Sequence, residues 1–199
     1  MIKKKYLLLV SILGITSIGA AFLVGNNLSC KKIFCLSLKD ASEYKLKEIY
    51  EENQYIFRGL YGKDDILLRL EIRYNATKSE AEQAIKNQIM RTQALFDEAA
   101  APYPGDISDI VSCSKEYIPK HTTKTKNEVS ISHFSGFVNE RLVFGSCTAD
   151  QLKYFDTLSM FYCDKQKKFF QVELIIPKDE YLKDPSEYKE ILNSLGCKQ

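Results

Sequence analysis

Residues 60–75 read LYGKDDILLRLEIRYN. From Leu68 onward, Leu68, Leu70, Ile72 and Tyr74 alternate with Arg69, Glu71 and Arg73. A strand turns successive side chains to opposite faces, so this period of two predicts a strand with one buried face. The Gly62-Lys63-Asp64 step before it reads as a tight turn, and residues 55–61 as the antiparallel partner.

The period then changes. Thr77-Lys78-Ser79-Glu80 has the form of a capping box, in which hydroxyl and carboxylate satisfy each other's backbone donors. Ala81, Ala84, Ile85, Gln88, Ile89, Thr92, Leu95, Phe96 and Ala99 follow at helical spacing, predicting a helix over residues 77–99. Pro102 ends it, and Tyr103-Pro104-Gly105-Asp106 turns the chain. Upstream, DASEYKLKEIY (residues 40–50) reads as a short helix capped by Asp40, with Glu43 three residues on.

Downstream the period of two returns. Val111, Cys113 and Tyr117 share one strand face, and Val129, Ile131, His133 and Phe137 another. Leu142 and Phe144 follow a turn at Asn139-Glu140; then come Leu158, Met160 and Tyr162, and finally Phe170, Val172, Leu174 and Ile176. Successive strands with short polar connections predict an antiparallel meander. Asp184-Pro185-Ser186-Glu187 supplies cap, first-turn proline and acidic residue for a last helix over residues 185–196, striped by Tyr188, Ile191, Leu192 and Leu195 and stopped by Gly196. The expected fold is α+β: an antiparallel sheet whose apolar face is covered by the two amphipathic helices. The tail FFQVELIIPKDEYLKDPSEYKEILNSLGC (residues 169–197) resembles the final strand and helix of PsbP-like lipoproteins, and departs from them by ending in a cysteine. That resemblance implies an α/β/α sandwich and carries no function.

The first 25 residues form a separate unit. Tyr6 to Gly25 carry no charge over twenty residues, about 30 Å of helix, the thickness of a bilayer's hydrocarbon core. Small residues suited to signal cleavage occur at Ser17, Gly19 and Ala21, but Phe22, Leu23 and Val24 continue the apolar run beyond them. Cys30 follows Ser29 as a lipidated cysteine would, yet Asn27 stands where that signal needs leucine. A retained anchor is the preferred reading, with lipidation at Cys30 or cleavage and secretion as alternatives. Lys3, Lys4 and Lys5 before the span balance Lys31, Lys32 and Lys39 after it, and the closeness of the first cluster favours a cytoplasmic N-terminus. The expected organisation is an anchor at 1–25, a juxtamembrane connector at 26–38 and one extracytoplasmic domain at 39–199.

Charge excludes one class of function. Of 28 basic residues, three lie in the anchor, leaving 25 against 26 acidic residues, a net of −1. A nucleic-acid binder needs a concentrated basic surface instead. Six cysteines suit an oxidising compartment. Cys113, Cys147, Cys163 and Cys197 are the disulfide candidates. If residue 132 lies opposite both Cys113 and Cys147, those two sit about two strand spacings apart, too far for a direct bridge. Cys197, past the last helix, then becomes the partner of one sheet cysteine and locks that helix to the sheet.

Catalytic patterns are weak. Cys30 and Cys35 have no second close Cys/His pair to complete a zinc site, and His121 and His133 lie twelve residues apart. His133 shares an apolar face and reads as a core residue; HFSGF lacks the context of a nucleophile elbow. No cofactor is implied. KEYIPKHTTKTKNE concentrates Lys115, Lys120, Lys124 and Lys126 around His121 and reads as an exposed loop between strands, able to touch an anionic surface component or an acidic patch of an envelope protein. The expected function is non-catalytic binding by a membrane-tethered domain. The alternatives are a thiol enzyme or hydrolase using a Cys/His pair, and a structural accessory subunit of a membrane complex.

Overall fold

The computed structural model describes residues 37–38, 41–100, 120–138 and 152–198, with the side chains of 93–100 excepted. Seven strands form one antiparallel sheet: β1 (Lys45–Glu52), β2 (Ile56–Lys63), β3 (Ile66–Tyr74), β4 (Lys120–Lys126), β5 (Val129–Val138), β6 (Tyr154–Cys163) and β7 (Lys168–Pro177). Three helices accompany them: α1 (Lys78–Ala100), α2 (Lys178–Lys183) and α3 (Pro185–Ser194). The spatial order is β1-β2-β3-β7-β6-β5-β4. Two meanders therefore meet at the centre, where β3 pairs with β7. The fold is α+β and mostly sheet.

The strand that opened the sequence reading lies at that centre. Ile66, Leu68, Leu70 and Ile72 are buried while Arg69 and Arg73 are exposed, as the alternation requires. The turn before it falls two residues later than expected. Gly62 pairs within β2, and Asp64, at φ 51°, opens the two-residue connection to β3. Asp tolerates the left-handed region through local hydrogen bonding, so it serves where glycine was the expected turn former.

Residues 40–50 depart from expectation more strongly. A 3-10 turn at Ala41–Glu43 gives way directly to β1, not to a helix. Leu46 and Ile49 cannot form a helical stripe alone, whereas Leu46 opposes Tyr61 across the β1–β2 ladder. Pairing thus overrides a plausible cap.

Helices cover both faces of the sheet. On the first, Tyr188, Ile191 and Leu195 of the last helix and its end pack on Leu70, Phe161, Phe170, Val172 and Ile176, and Tyr181 of α2 stacks on Phe155 at 3.7 Å. On the second, Ala81 of α1, with Ala84 and Ile85, meets Phe134, Met160 and Phe169. The capping box predicted at Thr77 is formed: its N–H donates to Glu80 Oε2 at 2.7 Å, and Glu80 N–H donates to Thr77 Oγ1 at 3.2 Å. Asp184 caps α3 by accepting from Ser186 N–H at 3.0 Å.

Cys163, the last residue of β6, is bonded to Cys197, with their Cα atoms 5.8 Å apart. The tail beyond α3 is so fixed to the sheet, as expected for Cys197. The supporting register argument does not hold, because Ser132 opposes Thr123 and Met160, not positions 113 and 147. Gly196 also pairs with Ser37, which brings the connector to the same corner.

No helix among the described residues is long and apolar enough to cross a membrane. The expected anchor at 1–25, Cys30, Cys113, Lys115, Cys147 and the strands expected around 111–117 and 142–144 lie outside the described residues.

Candidate functional site: a lysine-bearing edge strand

The segment expected to be an exposed loop is strand β4, KHTTKTK, at one edge of the sheet. Thr122, Thr123 and Thr125 are β-branched and favour extended backbone. The true turn is Asn127-Glu128, both at positive φ (49° and 67°), a two-residue hairpin connection in the left-handed region. Asn fits that region; Glu at the second position, where glycine is usual, hides the hairpin from a sequence reading.

Register divides β4 between the two faces. Thr122 opposes His133 and Lys124 opposes Ile131, so Lys120, Thr122, Lys124 and Lys126 share the first face. His121, Thr123 and Thr125 share the second. Lys124 Nζ donates to Asn193 Oδ1 at 2.6 Å, and Lys126 Nζ to the Asn193 carbonyl at 3.0 Å. Asn193 lies in the last turn of α3, where unpaired carbonyls carry negative partial charge and attract cations. Two lysines are thereby held in place by neutral oxygens. Lys120 is exposed. Among the described residues, no carboxylate forms an ion pair with Lys120, Lys124 or Lys126.

The two histidines lie on opposite faces and cannot ligate one ion together. His121 stacks on Phe134 at 4.7 Å, and its Nε2 is buried without a hydrogen-bond partner among the described residues. His133 Nδ1 lies 2.8 Å from Ser159 Oγ. Burial first, then Lys124 and His121, push His133 down to about 4, so its ring is neutral near pH 7. Ser159 is fully enclosed, which makes the pair a core hydrogen bond. It is a side-chain contact rather than the backbone contact usual for a core histidine.

Two further features had no clear signal in the sequence. A cleft of about 710 Å³ separates α1 from the β4–β5 hairpin and the disulfide corner. Ala81, Ile85 and Ile89 line its helical side; Thr123, Ser130 and Ser132 line the sheet side. Elsewhere on the second face, burial and the neighbouring Glu173 carboxylate push Asp156 up to about 7, against the opposing pull of Arg69. A lone aspartate within a strand gives no hint of that environment until β7 is placed beside it.

Comparison of the chain with protein-family models and with curated proteins found no match to either.

Proposed function

We propose that this chain is a membrane-tethered, extracytoplasmic binding domain without catalytic activity, and that β4 is its contact surface for an anionic partner. The observation that carries this reading is the row Lys120, Lys124 and Lys126, held on one face of an edge strand without carboxylate partners among the described residues. The net of −1 beyond residue 25 offers no general attraction for an anion, so attraction has to be local. Among the described residues, two groups that a thiol or hydroxyl enzyme could use have structural roles, which supports the non-catalytic reading. Cys163 and Cys197 bond each other, and Ser159 is enclosed against His133. The tether rests on the uncharged run from Tyr6 to Gly25.

Lys120→Glu is the cleanest test, because Lys120 makes no contact with α3. Binding of full-length protein to polyglutamate is expected to weaken as salt rises from 50 to about 300 mM, since the screening length shrinks from roughly 14 to about 6 Å over this range. Lys120→Glu should weaken it further at low salt. Equal binding by parent and variant at both salt concentrations would return β4 to the role of a solvated edge.

A further inference from the structure

We propose that β4 accepts an eighth strand: an extended segment of a partner protein in which acidic and apolar side chains alternate. This inference rests on the reading of β4 as the binding surface and specifies its occupant. The two edges of the sheet differ in a way that bears on pairing. β1 departs from regular register twice, between Leu46 and Glu48 and between Ile49 and Glu51. Such irregularities twist an edge and break the row of backbone groups that another strand would need. β4 pairs with β5 in unbroken register over all seven of its residues, from Lys120–Ser135 to Lys126–Val129. Among the described residues no strand pairs with its outer side, so its outer backbone is a regular template, since alternate N–H and C=O groups of an edge strand point away from the sheet.

Side chains select what can use the template. An added strand would place its first-face side chains beside Lys120, Thr122, Lys124 and Lys126, and cross-strand pairs of opposite charge are favourable. Lys124 and Lys126 are already ordered by Asn193, which reduces the entropy lost when a carboxylate arrives. Side chains on the second face would lie on the side of Thr123, which shares the cleft with Ile85 and Ile89 of α1. Ile89 is 37% exposed, so apolar surface is available on that side. A second copy of β4 is disfavoured, because antiparallel pairing would set lysine against lysine. The same lysines that oppose self-association thus favour an acidic strand, which is β-augmentation with charge selection.

The test uses full-length protein and a seven-residue capped peptide alternating glutamate and valine, matched to the length of β4. In a strand, alternate amides point to opposite sides, so two N-methylated versions are made, each blocking one alternate set. The parent peptide is expected to bind, and one methylated version to lose about tenfold or more in affinity while the other retains it. Ile89→Gln should weaken the peptide but leave polyglutamate binding unchanged. Equal binding of both methylated versions and the parent would overturn strand addition while leaving an anion-binding β4 intact. Failure of the peptide and polyglutamate alike would remove both readings. Self-association of the protein that Lys120→Glu strengthens and the peptide does not compete would assign the edge to a second copy, also overturning the proposal.

Discussion

The two faces of the sheet are built from the same strands and do different things. Among the described residues, the first buries a continuous core: twenty enclosed residues joined by α2, α3, Leu38 of the connector, Ala41, and the disulfide corner. The second has a cluster of five, Ala76, Ala81, Phe134, Met160 and Phe169, under the first turns of α1. Beyond that cluster it carries ions. Arg58 bridges Glu51 and Glu71, Arg73 also reaches Glu71 at 2.8 Å, and Arg69 meets Glu173 at 3.0 Å. The Arg58 and Arg73 hydrogen bonds hold the Glu71 carboxyl below its ordinary value despite the upward push of burial. Among the described residues, apolar burial is concentrated on one side, and the other carries charge, a cleft and a titratable acid.

Neighbouring residues on β7 offer the most direct way to break this comparison. Phe169 and Phe170 are buried on opposite faces at 2% and 0% exposure. Phe170 stacks on Phe161 at 5.1 Å within the large core, whereas Phe169 belongs to the small cluster. Phe170→Ala is expected to cost about 4–5 kcal/mol and Phe169→Ala nearer 3, because a cavity under the short cluster can collapse more readily. Urea unfolding of the two variants measures the difference. Equal costs would mean that α1 closes the second face as firmly as the C-terminal helices close the first.

Removal of the disulfide comes next. Cys163 and Cys197 are 34 residues apart, for which loop-closure entropy gives a stabilisation of about 3–4 kcal/mol. Replacing both with serine should lower the urea midpoint accordingly. It should also speed hydrogen exchange at Ser37, whose N–H donates to the Gly196 carbonyl at 3.0 Å. The amides of β2 should keep their protection. A loss of protection spread equally over β1–β3 would show that the corner supports the whole sheet.

These contrasts also explain how far the sequence could be read. The alternation from Leu68 to Tyr74, the caps at Thr77 and Asp184 and the stripe at Tyr188, Ile191 and Leu195 are local signals, and each describes the structure. Cys197 as the partner of a sheet cysteine was legible because its place past a helix leaves it free to reach. β1 was not, since its strand character depends on β2 beside it. β4 was not, because its lysines look solvated and its turn lacks glycine. In β6, Leu158, Met160 and Tyr162 marked a strand correctly, but the larger core takes Phe155, Phe161 and Cys163 from the opposite parity. When both faces of a strand are covered, periodicity alone cannot rank them. The site suffered most: Asn193, which holds two lysines, is 67 residues or more away in sequence.

His133 and Asp156, one on each face, have displaced pKa values with opposite consequences. His133, on the first face, is pushed down to about 4. Between about 6.5 and 4 the unfolded chain takes up a proton that the folded one refuses, so this residue costs stability as pH falls. Asp156, on the second face, is pushed up to about 7. Between about 4 and 7 the folded chain keeps a proton that the unfolded one has released, so this residue costs stability as pH rises. The two slopes oppose each other up to about pH 6.5. His133→Gln should leave stability falling from pH 4 to 7, and Asp156→Asn should leave it rising from 4 to 6.5, each by about 1–2 kcal/mol relative to the parent. Thermal unfolding across that range checks both. Matching changes of slope in the two variants would contradict the assignment of the groups to different environments.

Arg69 is expected to give the smallest effect and the sharpest one. Its side chain is 55% exposed, and its ion pair with Glu173 should contribute only about 0.2–1 kcal/mol on its own. Yet it is the cation that draws Asp156 downward, against burial and the neighbouring Glu173. Arg69→Met should therefore raise the Asp156 pKa further. At pH 5 Asp156 is protonated in the folded chain, so the variant should lose little more than the surface ion pair. At pH 8 the parent has ionised Asp156 beside Glu173 with Arg69 to offset it, and the variant lacks that offset. The stability difference between parent and Arg69→Met should accordingly be larger at pH 8 than at pH 5, and salt should shrink it at both. In an Asp156→Asn background the pH dependence of that difference should vanish, as the cycle removes one partner of the coupling. A difference that keeps the same size at both pH values in the parent background would mean that Arg69 serves only the exposed ion pair. Asp156 would then owe its pKa to burial and Glu173 alone.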